Sequence, residues 1–212
     1  MALFIRPAVQ SDIPYLYQIC LETGDSGKDA TALFDDPWLL GQYYAAPYLF
    51  NDVSLCFIAE ENLVPKGYIL GTADTAAFNR WFETEWLPPL RRRYPAPALQ
   101  VRSETERSLI ATIHTPAVAP DPAEKPWYTD HPAHLHIDLL PDLQGKGCGR
   151  ILLETLLAAL AFRGCPGIHL GVSETNTGAI GFYKKTGFTV LEEEEWGLIM
   201  GKRISSGASP AR

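Results

Sequence analysis

The chain has 212 residues, enough to bury one ordinary core, and its 46% apolar and 20% charged content is that of a globular protein. A net charge of -7 argues against nucleic acid or an anionic membrane as the main partner. Arg6 and Pro7 interrupt the amino terminus before an apolar leader can build, and no stretch approaches the length of a membrane span, so a cytoplasmic protein is expected.

In chain order, residues 4–6 read as a short strand, and Ser11 or Asp12 can cap a helix with Pro14 in its first turn, YLYQICLE as its body and an end near Gly24. Residues 25–47 read as loop plus a second, aromatic helix around WLLGQYY. Residues 54–60 and 66–74 are apolar and rich in sheet-forming side chains, with a turn containing Asn62 and Pro65 between them, which predicts an antiparallel hairpin. From 75 to 132 the pattern loosens into aromatic residues, a basic cluster and prolines, read as an insertion packed on the domain with a helix over 104–113. Regularity returns with a strand at 135–140, a helix at 150–162, a strand at 168–173, a helix at 178–185 and final strands at 188–191 and 197–202. A single domain over 1–204 is expected, with a disordered tail at 205–212. Cys20, Cys56, Cys148 and Cys165 show neither zinc spacing nor a CxxC pair, so neither a disulfide framework nor a metal site is expected.

Between the strand at 135–140 and the helix that follows stands QGKGCGR, residues 144–150. A glycine-rich turn opening a helix collects unpaired amide donors and the positive end of the helix dipole at one spot, with Lys146 and Arg150 adding charge. Such a loop can cradle a diphosphate, or it can be no more than a tight turn with two solvated cations. Lys146 is followed by Gly147 rather than Ser or Thr, which disfavours a Walker A loop. A Rossmann loop would read GxGxxG near the start of the fold, whereas this one reads GxGxG, comes late, and follows a strand carrying His134, His136 and Asp138 in alternation.

A third pattern, QxxGxG, is met by Gln144, Gly147 and Gly149, and downstream SETNTGAIGFYKKTGF supplies Asn176, Tyr183, Lys185, Gly187 and Phe188. On these two signatures, which span roughly 135–191, the chain resembles the GNAT superfamily of acyl-CoA-dependent N-acetyltransferases. With GYILGTADTAAFNRWFETEWLPPLRRRYPAP before the loop strand, it also looks like a bacterial stand-alone relative of the carboxy-terminal acetyltransferase-like domain of O-GlcNAcase. The resemblance implies an α/β fold of the α+β type: a mixed central sheet splayed at the acyl-CoA site, helices on both faces, and a long insertion between the third and fourth strands.

It further implies acetyl-CoA as cosubstrate, an amine acceptor that is a small molecule or a protein lysine, and no metal. Backbone groups near Asp138, Leu139 and Leu140 would pair with the pantetheine arm, and the amides of Gly145, Lys146, Gly147, Cys148, Gly149 and Arg150, with Gln144 at the head of the loop, would hold the diphosphate. Tyr183 is the candidate general acid for the leaving thiolate, against the plainer reading of a helix-face aromatic. Asn176 would bond the cofactor arm or cap its helix. For the base the candidates are Asp138, Glu174, Asp74, His134 and His136, with Asp138 preferred because its strand ends at the expected thioester. Trp81, Trp86, Tyr94 and Trp127 would wall the acceptor groove or form the insertion's own core. Arg91, Arg92 and Arg93 are an exposed basic face or an attractor for an acidic group, and 192–195 is a solvated strand end. The competing reading is a non-catalytic acetyl-CoA-binding or interaction module, with a Rossmann oxidoreductase a distant third.

Overall fold

A computed structural model describes residues 3–96 and 103–205. Seven strands form one sheet in the order β1-β2-β3-β4-β5-β7-β6. They are β1 (Leu3–Pro7), β2 (Cys56–Glu61), β3 (Val64–Thr72), β4 (Ala133–Leu139), β5 (Gly167–Ser173), β6 (Thr189–Glu194) and β7 (Gly197–Arg203). Every neighbouring pair is antiparallel except β4 and β5. The sheet is therefore mixed, with the long excursion between β3 and β4, as the resemblance implies. Of the tail at 205–212, all but Ser205 lies outside the described residues.

Strand alternation sorts the side chains into two faces. On one, Ile58, Tyr68 and Leu70 pack against α1 (Ile13–Thr23), α2 (Leu39–Tyr44) and α3 (Ala46–Asp52). The excursion adds α4 (Thr75–Trp81), a π-helical turn (Phe82–Trp86), α5 (Leu87–Arg93) and α6 (Glu104–His114) to that face, here called the front, while the short α7 (Trp127–Asp130) leads into β4. On the back, Ala59, Ile69, Leu135 and Leu170 meet α8 (Cys148–Phe162) and α9 (Thr177–Lys185). Leu152, Leu153, Leu156 and Leu160 of α8 are all buried there, because a helix with an apolar residue every three or four positions presents one continuous stripe to the sheet.

The excursion is more regular than its sequence suggests. Pro88 and Pro89 fall in the first turn of α5, where a missing amide costs nothing, so the double proline starts a helix instead of breaking one. Trp81 and Trp86 pack on the front core at 5.8 Å from each other, the Trp86 indole donates to the Gln42 carbonyl at 2.8 Å, and the Tyr94 hydroxyl donates to Asp36 at 2.7 Å. These aromatics hold the excursion to α2. The basic cluster is largely committed as well: Arg91 pairs with Glu83 at 2.5 Å and Arg93 with Asp36 at 3.1 Å.

Candidate active site

The parallel strands β4 and β5 pair only at Ala133 with Ile168 and His134 with His169, then separate. β4 stays bound to β3 as far as Leu139 opposite Gly67, and the Leu140 amide continues the ladder by donating to the Lys66 carbonyl at 2.9 Å. Backbone groups of an antiparallel strand alternate in direction. With Leu140, Asp138 and His136 turned towards β3, and the Leu135 amide taken up in the last β4–β5 pair, the amides of Leu139 and Ile137 face the open cleft. The Leu139 carbonyl lies on that side too and accepts from the Gln144 side chain at 2.8 Å. Leu140 behaves otherwise: its amide is used by β3 and its carbonyl accepts from the Leu143 amide at 2.9 Å.

At the mouth of the cleft, a single 3-10 turn at Pro141–Leu143 leads into the glycine loop. Gly145 has φ of +72° and Gly147 +84°, with open space where a Cβ would stand, so backbone conformation and not crowding selects glycine at both. α8 begins at Cys148, two residues before the expected start, which puts Cys148, Gly149 and Arg150 in its first turn; the amides of Cys148 and Gly149 are directed at the loop, while that of Arg150 donates to the Gly147 carbonyl at 3.1 Å. The Cys148 side chain is buried, leaving only its amide for a ligand. At Gly149 a Cβ would lie 3.2 Å from Leu139 and 3.4 Å from Phe182, a close approach that lets α8 sit tight against β4 and α9. Lys146 stands 3.5 Å from Glu61, which also binds Lys66 at 2.9 Å, and Arg150 lies 3.8 Å from Glu154.

Asp138 projects from the front face beside the cleft. The hydroxyl of Tyr68, its register partner on β3, donates to the carboxylate at 2.6 Å. Burial pushes the Asp138 carboxyl up to about 6, with hydrogen bonds from Tyr68 and Thr23 pulling the other way. A carboxylate with that affinity takes and gives up a proton near neutrality. Tyr183 is buried on α9 with its ring 5.4 Å from Phe182 and 5.4 Å from Phe188, and burial, followed by the Asp138 charge, raises its hydroxyl above the ordinary tyrosine value. It therefore stays a neutral proton donor. Asn176 caps α9 by accepting the Ala179 amide at 3.1 Å, and its side-chain nitrogen approaches Gly27 of the α1–α2 loop. Ser26 of that loop reaches Thr175 at 3.3 Å.

The other candidate bases are placed differently. Asp74 caps α4 through the Ala77 amide at 3.0 Å, and Glu174 is exposed. His134 is held between Thr75 at 2.7 Å and Tyr48 at 2.7 Å. Since the Thr75 hydroxyl donates to the Pro132 carbonyl at 2.7 Å, it accepts from His134 Nδ1, and Nε2 accepts from Tyr48. Burial lowers the basicity of His134 well below the ordinary histidine value, and that of His136 to about 4. Both are neutral. Glu192 is not a free strand end: Lys125 bridges it to Glu194, and the Trp127 indole donates to it at 2.9 Å. Tyr68 was not marked by the sequence, because its place opposite Asp138 comes from the β3–β4 register across the long excursion.

The family profile described as acetyltransferase (GNAT) matches residues 27–188. Over 184 residues the chain is 24% identical to protein O-GlcNAcase of Rattus norvegicus, covering 86% of this chain and 20% of that protein. Over 63 residues it is 43% identical to the peptidyl-lysine N-acetyltransferase YjaB of Salmonella typhimurium, covering 28% of this chain and 40% of that one. The chain thus spans about a fifth of the first relative and two fifths of the second. The crystal structure of SsHAT superposes with a TM-score of 0.86 at 35% identity, over 97% of this chain and 100% of that one. The structure of yncA from Salmonella typhimurium, a putative acetyltransferase with its cofactor acetyl-CoA, superposes with a TM-score of 0.53 at 17% identity, over 100% of this chain and 99% of that one, and shares the fold.

Proposed function

The chain belongs to the acetyltransferase (GNAT) family, and from that premise we propose that it transfers acetyl from acetyl-CoA to a primary amine by direct attack in a ternary complex. The observation that carries the proposal is the splay of β4 from β5 after His134, which opens a cleft with the glycine loop at its mouth and Asp138 beside it. The cleft-facing amides of β4 suit a pantetheine arm lying as an added strand. The first-turn amides of α8, with Gly145 and Gly147 in left-handed conformation, suit a diphosphate.

The roles follow from charge. The acceptor amine loses a proton as it bonds to the thioester carbon, and Asp138 accepts it. Negative charge grows on the thioester oxygen, where the Leu139 amide is the donor on the cleft side. The carbon–sulfur bond then breaks, and Tyr183 gives its proton to the departing thiolate. Glu61 holds Lys146 at the loop, ready to exchange its carboxylate partner for phosphate.

The test is release of CoA across a panel of amines and lysine peptides, with Asp138→Asn alongside. Loss of the base should lower kcat/KM by about a hundred-fold and remove the acid limb centred near pH 6, leaving acetyl-CoA binding intact. Full turnover in the variant would eliminate Asp138 as the base. Tight acetyl-CoA binding with no turnover on any acceptor would favour the binding-module reading.

A further inference from the structure

On the front face lies a cavity of about 320 Å³ that no step above uses. Its floor is β4 at His134 and His136, and its sides are Tyr43, Tyr44 and Tyr48 with Phe78 and Phe82 from the excursion, the two groups closing on each other where Tyr48 stacks on Phe78 at 4.7 Å and Tyr43 meets Phe82 edge-on at 5.3 Å. Residues 116–118 form its rim, held in place where Glu83 accepts the Ala117 amide at 2.9 Å. Because His136 and Asp138 are two residues apart on one strand, the floor lies roughly 7 Å from the carboxylate and on the same face. The cavity therefore opens beside the cleft, on the side of the sheet away from α8.

Among the described residues no charged group lines it, and both imidazoles are neutral because burial depresses them. The nearby Glu83 is neutralised by Arg91, to which it is joined by hydrogen bonds at 2.5 and 2.9 Å. A second ammonium or a phosphate would find no counter-charge inside. A flat ring would find aromatic faces on two sides, and the volume is roughly twice that of an engineered cavity that takes benzene. The His136 ring meets Tyr44 and Tyr48 edge-on at 5.5 Å, and burial alone accounts for its lowered basicity. Among the described residues it makes no hydrogen bond, so it can bond a polar atom of a guest.

Resting on the acetyltransferase reading of the same site, we propose that the acceptor is a primary amine carrying an uncharged aromatic group on a spacer of about three methylenes. The ring would fill the cavity between Tyr44 and Phe78 while the amine reaches Asp138. A polyamine's remote ammonium would give up its hydration for ring faces alone, with no carboxylate inside to pair with it, so the pocket favours an uncharged ring over a polyamine and the excursion becomes a specificity element.

The experiment compares binding of 3-phenylpropylamine, propylamine and spermidine by calorimetry, to the protein alone and to the protein saturated with CoA. The aromatic amine should bind at least about ten-fold more tightly than propylamine, since burying a ring is worth that much, and spermidine should show no advantage over propylamine. Asn79→Trp, which fills the cavity from its rim, should abolish the ten-fold difference and leave the acetyl-CoA-induced rise in Tm unchanged. Ala117→Phe fills it from the other side and should do the same. Equal binding of the two monoamines, tighter binding of spermidine, or an undiminished aromatic preference in both folded variants would overturn the proposal. Absence of CoA binding would instead overturn the acetyltransferase reading, while the amine comparison on the protein alone still decides this one.

Discussion

The back of the cleft and its front are built on different principles. At the back, β4, the glycine loop, α8, β5 and α9 follow one another within residues 133–185, and the groups offered to a ligand are mostly main-chain amides. At the front, the aromatic cavity draws on α2, α3, α4, the π turn, residues 116–118 and β4, segments that span almost a hundred residues, and what it offers is side chains. A backbone site depends on conformation, so few substitutions destroy it outright. A side-chain site can be re-cut one residue at a time without disturbing the fold, which makes the front the natural place for acceptor choice and the back the place for what all acceptors share.

The largest expected effect tests the back. Gly147→Asp puts a carboxylate at the N-terminus of α8, where the free protein tolerates it: aspartate is a good helix cap, there is room for its Cβ, and the strained φ of +84° costs about 1 kcal/mol. The same charge would repel a diphosphate, so the rise in Tm on adding acetyl-CoA should vanish. Gly147→Asn carries the same strain without the charge and should keep most of that rise. If the two variants respond alike, the loop is not an anion site and the contrast between back and front fails. Next in size, Tyr183→Phe should lower kcat by about ten-fold to a hundred-fold with acetyl-CoA binding preserved. A change in KM alone would make the hydroxyl a packing group in the Phe182–Phe188 cluster.

The same difference explains what could be read from the chain. Gln144, Gly147 and Gly149, then Asn176 and Tyr183, stand at short fixed spacings because a loop and the helices beside it are local structures, and the strand and helix pattern around them follows from periodicity. Boundaries moved by one to three residues; α8 starts at Cys148 because Gly147 can cap it in a conformation that other residues avoid. Leu139 and Leu140 could not be told apart until the β3–β4 ladder fixed which amide faces the cleft. The partnership of Tyr68 with Asp138, and the meeting of Tyr44 with His136 and of Phe78 with His134, depend on register and packing across a long excursion, and no spacing records them. Within that excursion Phe78 and Phe82 are buried in the front core and also line the cavity, while Trp81 and Trp86 pack against that core from outside and Trp127 bonds Glu192 instead.

The smallest expected effect sharpens the comparison by pH. His136 and His169 have basicities lowered to about 4 in the folded protein, that of His134 is well below the ordinary histidine value, and all three belong to the front face. The unfolded chain binds their protons from about 6.5 downward, so each histidine withdraws up to about 1.4 kcal/mol of stability per pH unit as pH falls from 6.5 towards 4. Asp138 has the opposite sign. Its affinity, raised to about 6, means that the folded protein takes its proton first, which adds stability as pH falls from 6 towards 3.8. Several histidines outweigh one carboxyl, so Tm should fall on acidification through this window. Asp138→Asn should make the fall steeper and His136→Leu shallower. A Tm profile that neither substitution bends would mean that the front face does not hold these groups in the protonation states on which both the base and the uncharged acceptor pocket depend.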